Sequence, residues 1–380
     1  MTSVLHGMRI EGISAYAPEH VWSNARVAAR LRLERMRTRR GGNGALSAEE
    51  AKLFETSDRW VRRFIGFTER RFTSEGEGTI DLATHAAREL LQRLGAAPDG
   101  IDAIMFGSVT PSYLYSPPDA AMLQDRLGIP LWQGAAPREI KGADLSLACS
   151  TWVASLMLCY SLIRSGMAKR ILLIGADRMS ATINWRDRGF ATVLGDAGTA
   201  TLCSAVPEGE DWFRPEQFWS WLDGSQASMI LTPSGGSRHP DPTPTEVEAG
   251  RNRLAMDGAM VRSKLVPFVG GPAADAALAK AGWSFGDLDL VSMHEANRTL
   301  NASIIELWRK KGFHGRVLDA DGRFGNTTSA TIPLALALNP DHLLVGNRFG
   351  LFAFGGGLSA SFALGTIRHS LPTFVRMGAG

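Results

Sequence analysis

The stretch 95–106, GAAPDGIDAIMF, leaves a helical pattern and enters an apolar strand, and 282–293, GWSFGDLDLVSM, does the same. Before the first, Leu82, Ala86, Leu90 and Leu94 recur on one helical face, with Asp81 as N-cap and Gly95 as the stop. Before the second, Ala274–Ala281 reads as a helix that Gly282 ends. Asp102 follows Gly95 by seven residues, and Asp289 follows Gly282 by the same seven. Each Asp enters a strand, Ile101–Val109 or Leu288–Met293. The shared offset marks an internal duplication of a helix–turn–strand unit. Val4–Tyr16 reads as a first strand and Ser150–Gly166 as a helix. Ile171–Ala176, ILLIGA, is an unbroken apolar strand of the kind a parallel sheet buries on both faces. Helix and strand alternate on both sides of the chain, which predicts a layered α/β fold.

Composition excludes several classes. The chain has 380 residues, 44% of them hydrophobic, so it is neither disordered nor fibrous. Lys and Arg number 41 against 38 Asp and Glu, a balance that does not indicate nucleic-acid binding. Three cysteines cannot build a disulfide framework, which fits a reducing compartment. No run reaches the roughly 18 apolar residues of a membrane span. The start, MTSVLHGMRIEGISAYAPEH, has no secretory pattern. A cytoplasmic enzyme with no membrane span is expected. The organisation reads as an N-terminal half over 1–205, an aromatic-rich connector or cap over 206–245, and a C-terminal half over 246–380. The middle segment holds Trp212, Phe213, Phe218, Trp219 and Trp221. It reads equally as a cap on a hydrophobic cavity or as an ordinary linker. Residues 24–55 are helix-prone but broken by a glycine-rich basic loop from Arg39 to Gly44.

Cys149 sits in DLSLACSTWVAS, residues 144–155, where a strand runs through a small-residue turn into a helix. A thiol there faces unpaired N–H groups and the positive end of the helix dipole, which lowers its pKa. A buried structural cysteine is an equally good reading of this residue alone. Cys159, inside the helix, and Cys203, in a strand, read as core. His294 ends a buried strand, and ligand groups gather at such carboxyl ends. Asn326 follows a turn and precedes a small-residue helix. Taken singly, His294 reads equally as a core histidine and Asn326 as a turn or cap residue. At 355–357 three glycines join two strands, and a backbone N–H without a Cβ can approach a reacting oxygen closely. Nucleotide-binding glycine patterns and paired zinc-ligand spacings are absent from the sequence, so no metal or cofactor site is expected.

Six stretches in order resemble β-ketoacyl-acyl-carrier-protein synthase III, of the thiolase superfamily. They are TSDRWVRRFIGFTER (56–70), LACS (147–150), DRG with GD (187–189 and 195–196), HEAN (294–297), GNTTSA (325–330) and FGGG (354–357). The resemblance implies a five-layered αβαβα fold of two similar βαβαβαββ halves, generally a homodimer. It implies Cys149, His294 and Asn326 as the catalytic set, with the N–H groups of Cys149 and Gly356 as oxyanion hole. Trp60 and Arg188 become substrate contacts. Acyl groups would arrive as coenzyme A or acyl-carrier-protein thioesters, with no other cofactor. Cys149 would be acylated, and a malonyl or β-ketoacyl thioester would then condense with it to form a carbon–carbon bond.

The sequence departs from the pattern in places. Phe64 stands where the family has an Arg that helps hold coenzyme A adenine, with Arg63 beside it. Glu295 replaces the usual Gln. A carboxylate there would raise the His294 pKa, act as a base, or point away. Glu295 and Asn297 are therefore accessory candidates. Arg35, Arg37, Arg39 and Arg40 would meet an acidic carrier, or form a solvated basic surface. These departures imply a specialised relative, of secondary metabolism rather than housekeeping synthesis. Transfer of the acyl group to oxygen or nitrogen is the alternative activity, and a non-catalytic partner subunit is a third.

Overall fold

The computed structural model describes residues 6–41 and 46–378. The first sheet takes β1 (Gly7–Ala17), β2 (Ala103–Gly107), β3 (Lys141–Leu145), β4 (Arg170–Asp177) and β5 (Ala197–Val206) in the spatial order β3-β2-β4-β5-β1. The second takes β6 (Phe218–Leu222), β7 (Leu290–Met293), β8 (Arg316–Leu318), β9 (Arg348–Gly355) and β10 (Ser359–Thr366) in the order β8-β7-β9-β10-β6. Read along the chain, the two orders are the same. Their senses agree as well: the first three strands run parallel and the remaining pairings are antiparallel. A last strand, β11 (Thr373–Met377), returns to the first sheet beside β1.

The repeat read in the sequence is one part of this duplication. α1 is Asn24–Gly41, α2 is Asp58–Phe64 and α3 is Thr79–Leu94, which ends at Gly95 with φ 61°. α4 is Thr151–Arg164, α5 is Gly258–Phe268, and α6, Ala274–Ala281, ends at Gly282 with φ 69°. Only glycine takes that left-handed turn without a Cβ penalty. Asp102 then accepts from the Lys169 and Arg170 amides at 2.8 and 3.0 Å. Asp289 accepts in the same way from the Arg348 amide at 2.8 Å. Each Asp thus ties the start of its strand to the start of the next. Asp81, expected as the N-cap of α3, lies inside the first turn instead. Its carboxylate reaches back to the Gly78 amide at 2.7 Å, and Gly78 occupies the cap position.

Five layers result. α4 and α8 (Thr331–Leu338) fill the space between the sheets, where Trp152, Leu156, Leu334 and Leu336 pack with Leu173 and Leu351. α3 covers the outer face of the first sheet with Leu82, Ala86 and Leu90. α5, α6 and α7 (Arg298–Lys310) cover the second, with Trp308 fully buried against Phe352. This is the thiolase-like αβαβα arrangement.

Two local expectations differ from the structure. The stretch 206–245, expected as a connector or cap, supplies β6, paired antiparallel with β10, while Trp212 and Phe213 enter the inter-sheet core. Aromatic residues suit a pleated, half-buried edge. The basic loop expected from Arg39 does not start there. α1 continues to Gly41, and residues 42–44 lie outside the described ones.

The two sheets are joined at Asp177, the last residue of β4 and fully buried. Its Oδ1 accepts from the Ser108 hydroxyl and the Val109 and Thr110 amides at 2.9, 2.7 and 3.1 Å, and from the Thr110 hydroxyl at 2.9 Å. Its Oδ2 accepts from the Thr328 hydroxyl and from the amide and hydroxyl of Ser329, 3.0 and 2.5 Å away. Asp177→Ala strands these donors without water. We expect a loss of at least about 3 kcal/mol in stability, read as a lower urea midpoint. A midpoint within experimental error of the wild type would contradict this role.

Candidate active site

The carboxyl ends of the central strands converge on one region. Cys149 precedes α4, behind Ala148, whose φ of 47° is unusual for a residue with a side chain. The turn is closed by Thr151, whose hydroxyl donates to the Ala148 carbonyl at 2.6 Å and accepts from the Leu147 amide at 2.7 Å. Asn326 holds the corresponding place before α8. The strand end β9 passes beside Cys149: a Cβ on Gly355 would lie 2.8 Å from the Cys149 Cβ and 3.1 Å from its sulfur. Glycine is therefore required there for the close approach. The His294 amide donates to the Phe352 carbonyl of β9 at 2.9 Å, and its ring stands edge-on to Phe354 with centroids 5.8 Å apart. Cys149 and His294 thus flank the same strand end, two residues of which separate them.

Asn326 is positioned entirely by backbone. Its amide donates to the Val193 carbonyl at 2.8 Å, and its carbonyl accepts from the Gly195 amide at 3.0 Å. Its side-chain Oδ1 accepts from the Thr328 amide at 2.8 Å, while Nδ2 meets no acceptor among the described residues. Thr328 and Ser329, next in the chain, bind Asp177. The same Asp177 charge bears on the Cys149 sulfur, so one carboxylate lies close to both turns. Asp177 escaped the sequence reading. Its only signal was an acid directly after the ILLIGA strand.

Electrostatics correct one expectation. Cys149 is half-buried. Burial first, and then the Asp177 charge, push its thiol up to about 12 against the pull of its own amide, where the sequence reading expected a lowered value. The resting side chain is a thiol. His294 is fully buried, and burial takes its imidazole down to about 3, so the ring is neutral. Neither ring nitrogen has a hydrogen-bond partner among the described residues. Buried polar atoms left unpaired are costly, and their presence marks a place built for another group. The Gly356 amide meets no backbone acceptor among the described residues, and the Cys149 amide none but its own sulfur.

Glu295 turns away from His294. Its Oε2 accepts from the Ala320 amide at 3.4 Å and its Oε1 lies 3.6 Å from the Arg298 guanidinium. It neither raises the His294 pKa nor reaches the site as a base. The tight turn in which the Ala296 amide donates to the His294 carbonyl at 2.9 Å separates the two side chains. Asn297 is the N-cap of α7, its Oδ1 accepting from the Thr299 and Leu300 amides at 2.9 and 3.2 Å.

At the outer side of the site the Arg188 guanidinium lies 4.4 Å from the Trp60 ring centroid and donates to the Glu55 carbonyl. Phe64, half exposed, stands 5.3 Å from Trp60, with Arg63 over its ring. Arg35 is paired with Glu55 at 3.1 Å, and Arg37 lies 3.7 Å from Glu34. The side chains of Arg39 and Arg40 lie outside the described ones. No group of His, Cys, Asp and Glu among the described residues is arranged to hold a metal, and no described helix is long and apolar enough to cross a membrane.

Comparison with known proteins agrees with this geometry. Residues 143–216 match the family model of 3-oxoacyl-acyl-carrier-protein synthase III, and residues 278–366 match its C-terminal model. The β-ketoacyl-acyl-carrier-protein synthase III of Symbiobacterium thermophilum is 33% identical over 310 residues, 81% of this chain and 89% of that one. The solved synthase III of Thermus thermophilus is 30% identical with a TM-score of 0.76, covering 95% of this chain and 99% of the other. A priming β-ketosynthase of a polyketide pathway shares the fold at 23% identity and a TM-score of 0.80. The chain thus belongs to the β-ketoacyl-acyl-carrier-protein synthase III family, the ketosynthase III-like condensing enzymes that transfer acyl groups and form carbon–carbon bonds.

Proposed function

We propose that Cys149 is the acylated nucleophile and that His294 and Asn326 together hold the carbonyl of the second substrate. The unpaired, fully buried imidazole beside the cysteine carries this reading. In the first step the Cys149 sulfur attacks an acyl thioester. Its proton leaves with the departing thiol of coenzyme A or the carrier protein, so no net proton is exchanged. The Cys149 and Gly356 amides, free of other backbone acceptors, are the donors for the tetrahedral oxyanion.

The extender is a malonyl thioester in this reading. A β-ketoacyl extender would have to lose a proton to a base. His294 is too weakly basic at about 3, and Glu295 faces Ala320 and Arg298. Decarboxylation requires no base. Carbon dioxide leaves, negative charge grows on the thioester oxygen, and a neutral His294 N–H and the Asn326 Nδ2 donate to it. The enolate carbon then attacks the acyl-cysteine, and the departing sulfur takes up one proton to restore the thiol. Trp60 and Arg188 are the contacts we assign to the carrier end of the donor. Transfer to oxygen or nitrogen would leave the paired donors without a task.

Four outcomes are expected. A mass shift of one acyl group should appear on incubation with acyl thioesters and vanish in Cys149→Ala. His294→Ala and Asn326→Ala should keep that adduct yet release carbon dioxide from a malonyl thioester about 10²–10³ times more slowly, since each removes one oxyanion donor. Unchanged release would take the residue out of this role. Alkylation of Cys149 by iodoacetamide should climb about tenfold per pH unit between pH 7 and 10 with no plateau, the behaviour of a thiol well above its ordinary value. A plateau near pH 7 would mean a thiolate at rest. Tyr113, Leu114 and Tyr115, 57%, 64% and 72% exposed in a row, support a homodimer. Leu114→Asp should then shift sedimentation towards the monomer; a wild-type monomer would refute the dimer.

A further inference from the structure

The turn that carries Gly356 meets the turn that carries Cys149 at one buried hydroxyl. Ser359 opens β10 and is fully buried. The sheet pins it on both sides, opposite Gly355 of β9 and Leu222 of β6. Its Oγ donates to the Leu147 carbonyl at 3.2 Å and to the Gly356 carbonyl at 3.1 Å, and lies 3.1 Å from the Ser150 Oγ. A hydroxyl has one proton, so these partners share it. The Leu147 carbonyl also accepts from the Ser150 amide at 3.0 Å, which closes the turn around Ala148 and Cys149. Within that turn Ala148 has φ 47°, a conformation that costs energy in a residue with a Cβ and persists only where its surroundings hold it.

We propose that Ser359 is a positioning residue for the oxyanion hole: its hydroxyl fixes the Gly356 turn against the Cys149 turn, so that the two amides converge on one oxygen. The two donors follow strands of different sheets, Cys149 after β3 and Gly356 after β9. Each carbonyl that Ser359 holds belongs to the peptide unit adjoining the one that carries the donor amide. Restraining the carbonyl therefore restrains the amide beside it. Such a hole stabilises an oxyanion only while both donors stay about 3 Å from the same point. A misplacement of about 1 Å is enough to lose most of the benefit.

This rests on the reading of the Cys149 and Gly356 amides as oxyanion donors given above. Two reactions of the same sulfur separate a positioning role from loss of structure. Acylation by acyl-coenzyme A passes through a tetrahedral oxyanion. Alkylation by iodoacetamide displaces iodide directly at carbon and forms none. At saturating acyl-coenzyme A, Ser359→Ala should form the adduct about ten- to a hundredfold more slowly. Its half-saturating concentration and its alkylation of Cys149 should match the wild type. Ser359→Thr keeps the hydroxyl and should restore acylation. Ser359→Val, of the same shape without it, should not, and this pair carries the comparison if Ser359→Ala folds poorly. Wild-type acylation without the hydroxyl, or equal losses of acylation and alkylation, overturns the proposal. A wild-type enzyme that no thioester acylates would overturn the underlying reading instead.

Discussion

Seven donors on one buried carboxylate hold this enzyme together. Asp177 ends the central strand of the first sheet, and its bonds reach the loop after β2 and the turn after Asn326. A carboxylate with that many partners is well compensated for its burial. The contacts fix where the second half of the chain meets the first. The same charge opposes ionisation of Cys149 nearby. What secures the two turns therefore also favours the thiol form of Cys149.

Close backbone approach is the second constraint. A Cβ on Gly195 would come within 1.9 Å of the Phe324 carbonyl oxygen, so the turn before β5 and the Asn326 loop meet with no room for a side chain. Arg70 seals the same junction. It is fully buried, donates to Asn24 at 2.8 Å and to the Thr192 carbonyl at 2.6 Å, and packs its Cβ against Gly195 and Gly325. Burial lowers its guanidinium to about 10 against the Glu69 charge, and carbonyl and amide oxygens supply its hydrogen-bond partners. The result is a tightly packed junction beside the loop that carries Asn326.

The departures from the family pattern fall at the rim and behind the site rather than among its reacting groups. Phe64 joins Trp60 in an aromatic pair that Arg63 and Arg188 cover. Glu295 lies behind His294, tied to the loop of Asn326. Neither replaces Cys149, His294 or Asn326.

Much of this was legible locally. Left-handed glycines at 95 and 282, the aspartates seven residues on, and the apolar strands after them are short-range signals, because turn geometry and strand burial act on neighbours in the chain. They fix the duplicated α/β layout, and the order of short motifs fixes Cys149, His294 and Asn326 as the residues to watch. The aromatic stretch misled, since 218–222 reads the same whether it caps a cavity or edges a sheet until β10 lies beside it. The state of the groups was not legible either. A helix N-terminus argues for a thiolate at Cys149, and adjacency argues for a Glu295–His294 pair. Burial and the Asp177 charge reverse the first, and the contacts of Glu295 with Ala320 and Arg298 reverse the second. Desolvation and charge come from whatever packs in three dimensions, from residues far away in the chain. Only the folded structure could decide them.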